Sequence, residues 1–74
     1  MLYYAVQKKA KDGFKHFIEF HGDQKQLRAA LNKIKLAPYM QVMTDKEFDA
    51  LNISTLGIGF KSVSLDTISK EDLL

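Results

Sequence analysis

Apolar residues recur at two different spacings along this chain, and the switches between them mark its elements. In "LYYAVQK", residues 2–8, Leu2, Tyr4 and Val6 alternate with Tyr3, Ala5 and Gln7. Alternation of period two, rich in aromatic residues, predicts a strand. "FKHFIEFH", Phe14–His21, alternates again, with Phe14, His16, Ile18 and Phe20 on the side that reads as buried and Lys15, Phe17, Glu19 and His21 on the other. Asp12-Gly13 lies between these runs, a dipeptide that tolerates the positive φ angles of a tight hairpin turn.

The period then lengthens. Leu27, Ala30, Leu31 and Ile34 fall at i, i+3, i+4 and i+7, the apolar stripe of an amphipathic helix. Asp23 and Gln26 have the spacing of a capping box at its start, and Pro38, which disfavours helical geometry at Ala37, predicts its end. A short strand follows at Tyr39–Met43. "TDKEFDALN" reads as a second helix with Thr44 and Glu47 as capping box, Met43 and Phe48 as hydrophobic staple, and Asn52 suited to a left-handed stop. A fourth strand is expected over "FKSVSL", Phe60–Leu65, with Lys61, Val63 and Leu65 on one side. The tail repeats helix-start chemistry, Ser69 with Asp72 and Ile68 with Leu73.

The expected fold is therefore a single α+β domain over residues 1–74. It has a four-stranded, mainly antiparallel sheet in the order β-β-α-β-α-β, helices on one face and a short C-terminal helical turn. In that arrangement Leu27, Leu31 and Ile34 pack against Tyr4, Val6, Ile18 and Phe20.

Composition narrows the picture. A chain of 74 residues buries only about 60% of its unfolded surface, so the core is thin. With no cysteine there is no disulfide framework and no thiolate metal cage, and stability rests on packing or association. Hydrophobic residues at 46% and charged residues at 27% are the proportions of a folded globular chain. At the N-terminus the charges follow a very short apolar run, the reverse of a signal peptide, and no run approaches the ~20 apolar residues of a membrane span. A soluble, cytoplasmic protein is expected. The net charge of +2 conceals an asymmetry: residues 1–35 hold eight Lys or Arg against three acids, and residues 36–74 three against six. Such an imbalance points to an acidic partner for the basic part.

"LGIGFKSV", Leu56–Val63, matches both glycines and the phenylalanine of the RNA-recognition octapeptide. It lacks the leading basic residue and two of the rings on which bases stack. A phosphate loop is excluded too, because the stretch leads into a strand and not into a helix. Its glycines read as a bend before the last strand. His16 and His21 are five apart on one strand and point to opposite faces, so they cannot share a metal ion. Glu19 and His21 share a face, but no third ligand is evident. With no nucleophile motif and little volume for an enclosed pocket, no enzymatic activity, cofactor, metal or small-molecule substrate is expected.

Two surfaces remain. Tyr3 and Phe17, with Tyr39 as a third ring, are expected on a sheet face free of helices, a contact surface for a protein partner or a second copy of the chain. The acidic second helix, with Asp45, Glu47 and Asp49, is complementary in charge to the basic hairpin and permits self-association. Lys8, Lys9, Lys11 and Lys15 surround the hairpin tip, and Lys25 and Arg28 on the first helix extend the basic surface, which suits nucleic acid. The presence of a single arginine, the usual reader of base edges, places the nucleic-acid module second. A non-enzymatic binding or regulatory protein acting through protein–protein contacts is the first expectation.

Overall fold

A computed structural model describes residues 1–54 and 57–73. Four strands, β1 (Leu2–Gln7), β2 (Phe14–His21), β3 (Met40–Thr44) and β4 (Gly59–Ser62), form one sheet in the order β3-β1-β2-β4. β1 is antiparallel to both β2 and β3, while β2 and β4 run parallel. Two helices complete the α+β domain, α1 (Gln24–Lys33) and α2 (Asp45–Ser54), with 3-10 turns at Ala37–Tyr39 and Lys70–Asp72.

The caps expected from the sequence are present. Gln26 Oε1 accepts the Asp23 N–H at 3.1 Å, and Thr44 and Glu47 exchange bonds at the start of α2, with the Glu47 N–H donating to Thr44 Oγ1 at 3.2 Å. Ser69 N–H donates to Asp72 Oδ2 at 2.9 Å. The Asp12-Gly13 turn carries φ of 55° and 86°, the two positive values of a type I′ hairpin. Gly57, at φ 88°, makes the bend ahead of β4. Gly59 is already a strand residue paired with Phe14, and Leu56 lies outside the described residues. α2 continues two residues beyond the expected stop at Asn52.

The helices do not share a face of the sheet, which corrects the expected arrangement. Ala5 and Ile18 pack with Leu27 and Leu31 of α1, whereas Val6, adjacent to Ala5 on β1, packs with Met43 and with Phe48 of α2. Neighbours on a strand point to opposite faces, so α1 and α2 cover opposite sides. Tyr4 and Val6 accordingly contact α2, and Ile34 is 38% exposed. The cause is that β1 is apolar on both faces, so its alternation cannot choose one. β3 passes directly into α2, and the staple folds Phe48 back onto the face that bears Met43.

Residues beyond β4 complete the α1 face. Val63 and Leu65 pack against its core, and Ile68 and Leu73 are buried within it. The opposite face is closed by rings: Tyr4 stacks on Phe48 with centroids 4.1 Å apart, and Phe17 and Phe60 abut Phe48 at 4.9 Å and 5.4 Å.

Candidate binding groove at the hairpin bulge

The β1–β2 ladder is regular from Leu2↔His21 to Val6↔Phe17 and then breaks, to be rejoined at the Lys11↔Phe14 bridge beside the turn. Between these pairs one side of the hairpin holds Gln7, Lys8, Lys9 and Ala10, and the other only Lys15 and His16. The two surplus residues loop out as a wide bulge.

The break deprives His16 of a backbone partner, and Gln7 supplies one: its Oε1 accepts the His16 N–H at 2.9 Å. The same oxygen lies 2.9 Å from His16 Nδ1, and Gln7 Nε2 donates to the Leu73 carbonyl at 3.3 Å. Gln7 and His16 are buried, at 2% and 6% exposure. A backbone N–H only donates, so the Gln7 atom facing it is the oxygen, and His16 Nδ1 carries a proton that it donates to the same atom. This polar knot fastens the C-terminal segment under the bulge.

Further ties hold the surroundings. The Lys8 N–H donates to the Tyr39 carbonyl at 2.9 Å, Lys11 Nζ donates to the Glu71 carbonyl at 2.6 Å, and Lys70 Nζ stands 5.8 Å from the centroid of the Tyr39 ring. The result is a groove of about 500 Å³, with Lys8, Lys9, Ala10 and Lys11 on one wall, Pro38 and Tyr39 on the other, and Gln7 and Leu73 at its base. That volume falls among those of ligand-binding clefts, roughly 300–1,000 Å³. Nearby, the Asp72 carboxyl is held below the ordinary carboxylate range, chiefly by the Ser69 backbone N–H; desolvation opposes this, and the Ser69 hydroxyl and the charges of His16 and Lys11 add to it. Among the described residues no Lys or Arg forms an ion pair with a carboxylate; the pair present is His21 with Glu19 at 2.9 Å, and it is exposed.

The structure brings together some of the expected site residues and separates others. Lys8, Lys9, Lys11 and Tyr39 share the groove. Lys15 lies on the α2 face beside Phe60, and Lys25 and Arg28 are exposed on α1, with Arg28 bordering a smaller cavity of about 120 Å³ between α1 and β3. Tyr3 and Phe17 were expected on one helix-free face and are on opposite faces, because each face has its own helix. Tyr3 packs half-buried against the α1 core, and Phe17 sits half-buried among the rings around Phe48. His16 and His21 point to opposite faces as expected, and among the described residues no three His, Cys, Asp or Glu side chains gather to hold a metal ion. No described helix is long and apolar enough to cross a membrane.

Gln7, Ala10, Pro38 and Leu73 are groove residues that the sequence patterns did not single out. A lone amide at the end of an apolar strand was the available signal for Gln7. Leu73 reaches the groove, and Lys70 the Tyr39 ring beside it, only through the C-terminal segment, which nothing local announces. Comparisons with protein-family models, with curated proteins and with solved structures find no match to this chain.

Proposed function

We propose that the chain is a small non-enzymatic binding protein that engages a protein partner through the groove at its hairpin bulge. One observation supports this reading above the others: Lys8, Lys9 and Lys11 converge with Pro38, Tyr39 and Leu73 on a single concave surface. Apolar area at the centre and charge at the margin is the layout of a protein contact. The test places a photo-crosslinking amino acid at Ala10, which is exposed and lines the groove, in extracts treated with nuclease. Protein adducts that disappear with Lys9→Glu, and that do not form from a crosslinker at Lys46 on α2, are the expected result. Adducts insensitive to Lys9→Glu would refute the assignment.

A nucleic-acid module is the second reading, favoured by lysines that have no carboxylate partner among the described residues. It requires the logarithm of affinity for duplex DNA to fall against the logarithm of salt with a slope of about −0.9 per lysine–phosphate contact, hence near −3 for Lys8, Lys9 and Lys11. Saturable binding with that slope at near-physiological salt would put this reading first.

A further inference from the structure

We infer that the occupant of the groove is a short acidic peptide segment carrying one large aliphatic residue between its carboxylates. The inference rests on the groove being a protein-contact site and adds what it recognises.

The polar side chain at the base of the groove is already engaged. Both ends of the Gln7 amide are engaged, its oxygen by His16 and its nitrogen by the Leu73 carbonyl. On the opposite wall the Tyr39 carbonyl holds the Lys8 N–H. No buried side-chain nitrogen or oxygen is without a partner among the described residues. A base edge or a sugar needs donors and acceptors placed for it, and the Gln7 amide, the side chain best placed to serve, is already taken. The Tyr39 ring has Lys70 over it, and Pro38 beside it is no stacking platform, so successive unpaired bases have no row of rings to follow. Besides its lysines the groove presents apolar groups, Leu73 at the base and Ala10, Pro38 and the Tyr39 ring on the walls.

The margin is positive. Lys8 and Lys9 are exposed on the bulge, and Lys70 stands at Tyr39 on the far side. The adjoining turn brings acids as well: Asp72, bonded to Ser69 N–H and Oγ, is close enough for the Lys11 charge to act on it, so the charge left for a partner is that of Lys8 and Lys9, which form no ion pair among the described residues. An apolar groove with ammonium groups along its rim complements an aliphatic side chain flanked by carboxylates, which each lysine meets as a point charge without demanding fixed geometry.

Fluorescence anisotropy with a labelled peptide of one leucine between pairs of glutamates tests this, at roughly 0.1 M salt where weak surface attraction is screened. Controls are the peptide with glutamine for glutamate, the peptide with alanine for leucine, and an oligothymidylate. Saturable binding of the first peptide is expected, weakened roughly tenfold by the alanine replacement and at least as much by the glutamine replacement. Lys9→Glu should abolish it, and Lys33→Glu, at the exposed end of α1, should leave it unchanged. Circular dichroism of each variant shows that the fold is kept. If none of the peptides binds while the Lys9-dependent adducts at Ala10 persist, the groove reading stands and the acidic-peptide assignment is overturned. If the adducts vanish as well, both fall. Tighter Lys9-dependent binding of oligothymidylate, or Lys9-dependent dimerisation through the acidic α2 of a second copy, would equally overturn the assignment.

Discussion

Lys35 stands at φ 62° just past Ile34, the C-cap of α1, in a conformation that costs an ordinary residue about 1–2 kcal/mol. It is held there by a Schellman closure: the Leu36 N–H donates to the Leu31 carbonyl at 2.9 Å and the Lys35 N–H to the Asn32 carbonyl at 3.1 Å. Leu36 and Leu31 are both buried in the α1 core. Lys35→Gly is therefore expected to raise stability by about 1 kcal/mol, read as a higher urea midpoint at unchanged m-value; a lower midpoint would show that the lysine side chain contributes more than its backbone costs. The helix end was illegible in the sequence for this reason. Glycine is the usual marker of a left-handed stop, a lysine occupies it, and Pro38 belongs to the following 3-10 turn. The capping boxes were legible because both partners lie three residues apart. One of them sets a pH response. Asp72 has its pKa lowered in the fold, chiefly by the Ser69 N–H, so its contribution is complete above the unfolded carboxylate value of about 3.9 and is lost as pH falls below it. The Ser69 amide resonance should titrate with a midpoint below that ordinary value, and Asp72→Asn should remove the step. A midpoint at or above the ordinary value would contradict the cap.

At the level of elements, the two apolar faces of β1 decide the architecture. Phe17 was expected to be a free contact residue, but its ring lies 5.8 Å from that of Tyr4 and 4.9 Å from that of Phe48. Phe17→Ser should therefore destabilise the fold by about 3 kcal/mol, the scale of aromatic truncation in a core, and a thermal melt should show a lower midpoint. An unchanged midpoint would mean that α2 contributes little at that face. Strand existence and helix type were legible because period-two and 3.6-residue patterns are local. Which face each helix takes was not, since it depends on how β3 runs into α2. The groove was half legible: its lysines are neighbours in sequence, but the bulge that splays them appears only once the ladder register is known. β3 is also a protected edge. Its Met40 N–H donates to the Ala37 carbonyl and its Thr44 N–H to Glu47 Oε1 at 3.1 Å. Donors on one edge of a strand alternate, so these two internal bonds leave a five-residue strand with little to offer another chain.

Across the whole molecule, charge and concavity coincide. The groove gathers three lysines of the basic N-terminal half, while the exposed acids Asp45, Glu47 and Asp49 lie on α2 across the sheet. An anionic partner is thus drawn toward one side of the protein and repelled from the other, which favours productive orientation during encounter. The parallel β2–β4 pairing bears on a different matter, the order in which the chain assembles. The hairpin closes over Asp12 and Gly13 alone, a microsecond event of about 1–10 μs for an isolated hairpin, whereas Phe14↔Gly59 and Phe17↔Ser62 join residues 45 positions apart (59 less 14, 62 less 17). The loop that must close is long, and no hairpin turn guides it. β4 is therefore expected to dock last and to open first. In native-state hydrogen exchange the Gly59 and Val63 amides, which donate to the carbonyls of Gly13 and Phe17, should lose protection ahead of those joining β1 to β2. The sheet's terminal strand would then be its least durable seam, released while the bulge, the turn and the groove between them are still intact.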